Sequence, residues 1–152
     1  MTADAFPAMR AHEGVWQGTY RHLSPQGELE DQHEARVSCA FPAAGAVFYR
    51  QSILFTWPDG RERRETFEGM ARDGAVWFDA PRFAGRSWES EGIVLLHLTR
   101  KDEPGAEMLE MITMGESGAW RARTWHWFKQ GRLLRRTLCD ERRVSRTPDS
   151  PD

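Results

Sequence analysis

Apolar and polar residues alternate with a period of two through most of the chain, which predicts strands rather than helices. Ten segments carry the pattern: 15–23, 31–41, 46–57, 63–70, 75–79, 86–90, 93–100, 107–114, 120–128 and 132–144. They are rich in Val, Ile, Thr, Trp and Phe, residues that fit a pleated, half-buried surface. Short connections separate them, among them "SPQGE", "PAAG", "WPDGR", "RDGA", "ESEG", "DEPG", "GESG" and "KQG". Glycine beside Asp, Glu, Pro or Ser supplies the positive φ of tight turns. Turns this short join antiparallel neighbours, because a parallel crossover needs about a dozen residues or more. Closing such a meander on itself removes its open edges. The expected fold is therefore all-β, an antiparallel meander β-barrel of about 8–10 strands, filling one domain over 1–144. The helical candidate is "TADAFPAMRAHEG", interrupted by Pro7, which would cap one barrel mouth. The tail 145–152, with two prolines and no apolar anchor, is expected to be disordered.

Composition narrows the function more by exclusion than by indication. The 152 residues are 39% hydrophobic and 29% charged, a globular mixture. Twenty-one basic against 23 acidic residues leave a net charge of −2, so bulk charge gives no reason to expect nucleic acid. The opening "MTADAFPAMRAHEGVW" lacks the apolar run of a signal peptide. No stretch approaches the roughly 20 apolar residues of a membrane helix. A cytoplasmic protein with no membrane partner follows, its Cys39 and Cys139 reduced and packed as small core residues. Seven tryptophans are many for this length, and they belong to a core, a cavity wall or an interface.

The stretch "RARTWHWF", 121–128, concentrates the candidate chemistry. If Gln130-Gly131 is a two-residue turn, Phe128 pairs with Leu133 and the rest follows in register. One face then carries Arg121, Arg123, Trp125 and Trp127 opposite Asp140, Leu138, Arg136 and Leu134. The other carries Ala122, Thr124, His126 and Phe128 opposite Cys139, Thr137, Arg135 and Leu133. With the first face inward, Arg123 and Arg136 beside Trp125 make a carboxylate receptor with aromatic walls. Outward, the same residues are a solvated Arg–Trp ladder. With the second face inward, His126 lies among small side chains with room for a ligand and a proton to exchange. Tyr49 and Gln51 share a strand face and could add a hydroxyl and an amide. Glu110, a charge inside the apolar "MLEMITM", is either on the outer face or paired inside with an arginine. Met108, Met111 and Met114 read as adaptable packing. His12, His22, His33 and His97 show no i, i+2 or i, i+4 spacing on one element, so no metal and no cofactor is expected.

"EGVWQGTY" places Gly14 and Trp16 in the G-x-W spacing that resembles the first strand of lipocalins and their calycin relatives. The likeness implies that Trp16 closes the barrel floor and that a late arginine, Arg142 or Arg143 of "DERRV", packs over it. The pieces "GTY", "YRQ", "TWPDG", "RTWHWF" and "RTLCDERRV" resemble a bacterial lipocalin-like family of unknown function. Fatty-acid-binding calycins, by the same likeness, take an acid on an interior arginine. The opening also resembles the G-x-W-x-G-x-G of the haem-carrying nitrobindins through Gly14, Trp16 and Gly18. Tyr20 stands at the third glycine, and the last strand lacks their ligand histidine, His126 lying one strand earlier. The expectation is a barrel that binds a small apolar or aromatic molecule, acidic or neutral. Cofactor-free isomerase, cyclase or lyase chemistry would use His126, Tyr49 or Glu110. The alternatives are a haem protein and a homodimer formed through a Trp-rich surface.

Overall fold

The computed structural model describes residues 5–151. Ten strands follow one short helix: α1 (Pro7–Arg10), β1 (Gly14–Leu23), β2 (Leu29–Ala40), β3 (Tyr49–Thr56), β4 (Glu62–Arg72), β5 (Ala75–Asp79), β6 (Phe83–Ser90), β7 (Ile93–Arg100), β8 (Ala106–Met114), β9 (Trp120–Lys129) and β10 (Arg132–Ser145). Each strand pairs antiparallel with its sequence neighbours, and β10 returns to β1, closing the barrel. The expected architecture is the one observed. Of the helical candidate, residues 2–4 lie outside the described residues. The rest holds a single turn that begins at Pro7, where a fixed φ and a missing N–H suit the first helical position.

Closure depends on the two glycines that flank Trp16. A Cβ on Gly14 would strike the Ser145 carbonyl, and one on Gly18 would strike the Asp140 carbonyl and the Glu141 side chain. Their absence lets β1 and β10 approach and leaves room for a buried carboxylate at Glu141. Trp16 is fully buried, with its Nε1 donating to the His12 carbonyl at 2.9 Å. The Arg143 guanidinium lies 4.4 Å from the ring centroid and donates to the carbonyls of Glu13, Ala11 and Gly118. Arg143, not Arg142, is thus the late arginine over the barrel floor.

The last hairpin turns on Gln130 and Gly131, both at positive φ, and Phe128 does face Leu133. One step later a bulge between Leu133 and Arg135 shifts the ladder. Arg121 therefore faces Glu141 rather than Asp140, Arg123 faces Cys139, and Trp125 faces Thr137. Asp149 receives two hydrogen bonds from Arg36 (3.1 and 3.0 Å) and donates its N–H to Ser38, both on β2. Asp152 lies outside the described residues.

Candidate functional site

Two arginines and two glutamates meet at the centre of the barrel, all four buried. β9 points Arg121 and Arg123 inward, β8 supplies Glu110 and β10 supplies Glu141. Arg121 Nε donates to Glu141 at 2.7 Å, and Arg123 Nε donates to Glu110 at 2.7 Å. Arg123 Nη1 also donates to the Tyr20 hydroxyl at 2.6 Å. Burial works against each guanidinium, but Glu141 and Glu110 more than offset it and hold both arginines charged. With two positive and two negative charges the cluster is balanced, the condition under which buried ions persist. Two buried polar atoms here still lack a partner, Glu141 Oε2 and Trp125 Nε1.

Between this cluster and α1 lies a hollow of about 40 Å³, room for a few water molecules. Its apolar wall includes Phe41, Phe67, Phe78, Val94, Leu96 and Ile112, with Met9 of α1 closing one side. Its polar side is Arg121, Arg123, Gln51, Tyr49, His12 and Ser87. Tyr49 donates its hydroxyl to Gln51 Oε1 at 2.6 Å, which leaves the Gln51 amide N–H groups to act as donors. Burial pushes the Tyr49 hydroxyl well above its ordinary value, so it stays protonated at neutral pH. His12 is pushed down to about 3, first by burial and then by Arg121, whose Nη1 lies 3.2 Å from its Nδ1. A neutral His12 can accept that hydrogen bond.

Of the residues singled out in the sequence, Arg123, Trp125, Trp127, Tyr49, Gln51 and Glu110 face the interior. Glu110 is the inward carboxylate paired with an arginine. His126 and Arg136 do not join them. His126 is exposed on the outer wall, stacked on Phe128 at 6.1 Å and paired across the ladder with Arg136. The bulge explains the difference, since it turns Thr137 and Cys139 inward while leaving Ala122, Thr124 and His126 outside. His126 can therefore neither ligate an interior haem nor exchange a proton with an interior ligand. The Arg–Trp ladder exists, but on other strands: Arg72 lies 4.4 Å from the Trp77 ring, and Arg86 lies 4.6 Å from Trp88. The "RARTWHWF" tryptophans point inward. The outer wall instead exposes Leu109, Met111, Leu134, Leu138 and Trp120.

Reading single elements missed two groups. His12, before β1, reaches the site only through the floor that Trp16 and Arg143 build. At the opposite mouth His22, Asp31 and His33 converge; Asp31 and His33 stand two apart on β2, but a reading of histidine pairs alone passes them over. They meet across the β1–β2 ladder, where Tyr20 faces His33 and His22 faces Asp31.

The barrel is lipocalin-like in fold, and solved structures share this fold. A protein of unknown function from the DUF3598 family of Nostoc punctiforme superposes with a TM-score of 0.68 at 18% identity. The match covers 90% of this chain and 49% of that one, so the chain spans about half of that protein's length. An S-type phycobiliprotein lyase, CPES, from Guillardia theta gives 0.68 at 14% identity, over 95% of this chain and 92% of its own. Rv2717c from M. tuberculosis gives 0.57 at 15% identity, over 92% and 99%. These identities are a likeness of fold alone. No family model matches the chain, and no curated protein matches it in sequence.

Proposed function

We propose that the protein binds one small, mainly apolar or aromatic molecule inside the barrel, with a polar end directed at Arg121 and Arg123. The observation that carries this reading is the hollow itself, apolar on one wall and bordered on the other by guanidiniums with N–H donors to spare. Because Glu110 and Glu141 already balance both arginines, a neutral acceptor such as a carbonyl fits this end better than a free carboxylate. The hollow is far smaller than a drug-sized ligand, so binding requires lining side chains such as Met9 and Phe41 to move aside. The likeness of fold to an S-type phycobiliprotein lyase supports an interior ligand. We read the function as binding rather than catalysis. Tyr49 stays protonated, Glu110 is held by Arg123, and His126 is outside. We further read the protein as cytoplasmic, with neither nucleic acid nor membrane as partner. Both cysteines are free and buried, and among the described residues no helix is long and apolar enough to cross a membrane.

The test is a titration with neutral and acidic apolar fluorophores, read by energy transfer from tryptophan. Val94→Phe, which fills the hollow, should abolish saturable binding while circular dichroism stays that of the wild type. Probe binding that survives Val94→Phe would place the ligand elsewhere. Acidic probes binding more tightly than neutral ones would overturn the charge argument.

A further inference from the structure

The mouth opposite α1 holds a second, separate constellation. β1 and β2 turn His22, Asp31 and His33 to the same side of the ladder, and one ligand atom from each lies within 4.8 Å of the others. His33 is clamped: its ring lies 4.5 Å from Trp57 and 5.1 Å from Tyr20, tilted about 30° to each, with the Phe55 ring edge-on at 5.3 Å. Its Nδ1 bonds Asp31 Oδ2 at 2.8 Å, and Asp31 is itself fixed by the Trp57 indole N–H at 3.1 Å. An ionised carboxylate only accepts, so Nδ1 carries the proton, Asp31 orients the ring from outside, and Nε2 presents a lone pair. That Nε2 is buried and has no partner among the described residues, although His33 is only 4% exposed. Orphaned buried acceptors are rare enough to need an explanation.

His22 is held in a similar way. Thr137 Oγ1 lies 2.7 Å from His22 Nδ1 and accepts the Trp127 indole N–H at 2.8 Å. Both imidazoles are thus oriented through one nitrogen, the arrangement by which outer partners aim a metal-binding histidine.

We propose that His22 and His33, with Asp31 as the outer partner that orients His33, form a site for a divalent transition metal of the zinc, cobalt and nickel class. Imidazole suits these ions, and two imidazole ligands leave positions open for water or another small ligand. The Asp31 side chain is 39% exposed, which gives the ion a way in. Arg63 and Arg135 bring opposing positive charge, so the site is weaker than a closed structural zinc centre. Arg63 is drawn aside over Phe55 and Trp57 (4.8 and 5.8 Å), and Arg135 lies 3.7 Å from Glu30.

The experiment uses the full chain, stripped with chelator and desalted, then titrated with Co²⁺. Binding next to Trp57 should quench its emission at one ion per chain, and Zn²⁺ should reverse the quench by displacement. His22→Gln and Asp31→Asn occupy half-buried positions and should fold as the wild type does. Each should weaken Co²⁺ at least about tenfold and remove the rise in Tm that the metal gives the wild type. Three results overturn the proposal. They are no stoichiometric binding to the wild type, equal binding to His22→Gln, or full retention in Asp31→Asn, which would remove the carboxylate from the site.

Discussion

Arg123 can lie buried in the barrel because its neighbours answer its charge: Glu110 at its Nε, Tyr20 at Nη1, Glu141 3.8 Å from Nη1, and Trp125 with its ring 5.1 Å from the guanidinium carbon. Removing it strands Glu110, and removing Glu110 strands it. Arg123→Met should therefore destabilise by about 3–5 kcal/mol, as when one partner of a buried pair is lost. The double variant Arg123→Met with Glu110→Leu should recover much of that in denaturant unfolding. Strictly additive losses would show that the pair is not coupled. A second residue-scale expectation concerns acid. His12 has an ordinary value of 6.5 and is held at about 3 in the fold. Between those values the unfolded chain binds the proton that the folded chain refuses, so stability rises with pH there. Its contribution is fully present above about pH 6.5 and is lost progressively as pH falls toward 3. His12→Asn should flatten the fall of Tm across that window. A slope unchanged in His12→Asn would assign the acid sensitivity to other groups.

The bulge in β10 decides which face of a strand the chemistry occupies. Strand positions, turns and the Gln130-Gly131 hairpin were legible because alternation and turn residues are local signals. The side-chain partners of Arg121 and Arg123 were not, because one extra residue in "RLLRR" changes every pairing above it without altering the composition. His22 and Asp31 were invisible for a related reason, since their meeting depends on the β1–β2 register and not on spacing along one strand. Pro7 misleads only if a helix is required to run through it. Leu134 is the exposed residue within the bulge. Deleting Leu134 should leave the barrel folded with Arg121 still facing Glu141. Deleting Leu138 should move Thr137 and the residues before it by one place and abolish cooperative unfolding. Equal tolerance of both deletions would mean that the register above the bulge is not fixed by its inward set.

At the scale of the molecule, a closed ten-strand barrel has no free sheet edge, and Met9 of α1 covers one side of the hollow. Met9 is held there by more than its side chain. Its N–H donates to Glu89 at 2.7 Å, while Arg10 stacks on Phe48 (4.8 Å) and Phe41 (5.5 Å). Two hydrophobic clusters meet here: one around Trp16, Tyr20 and Phe55, the other around Met9, Phe48 and Phe78. On the proposed reading, the hollow of about 40 Å³ is too small for the ligand with Met9 in place, so only the fraction of molecules with Met9 withdrawn is competent to bind. Apparent affinity is then the intrinsic affinity scaled by that fraction. Met9→Ala removes the plug and leaves the backbone bond to Glu89 in place. It should tighten binding of a neutral apolar fluorophore several-fold and speed association in stopped flow, at a stability loss of about 2–5 kcal/mol for a buried truncation. Glu89→Gln should act in the same direction but less, because it weakens the anchor without emptying the hollow. Slower association or weaker binding in Met9→Ala would mean that Met9 is a contact for the ligand and not its gate, and that entry lies at the His22 mouth instead.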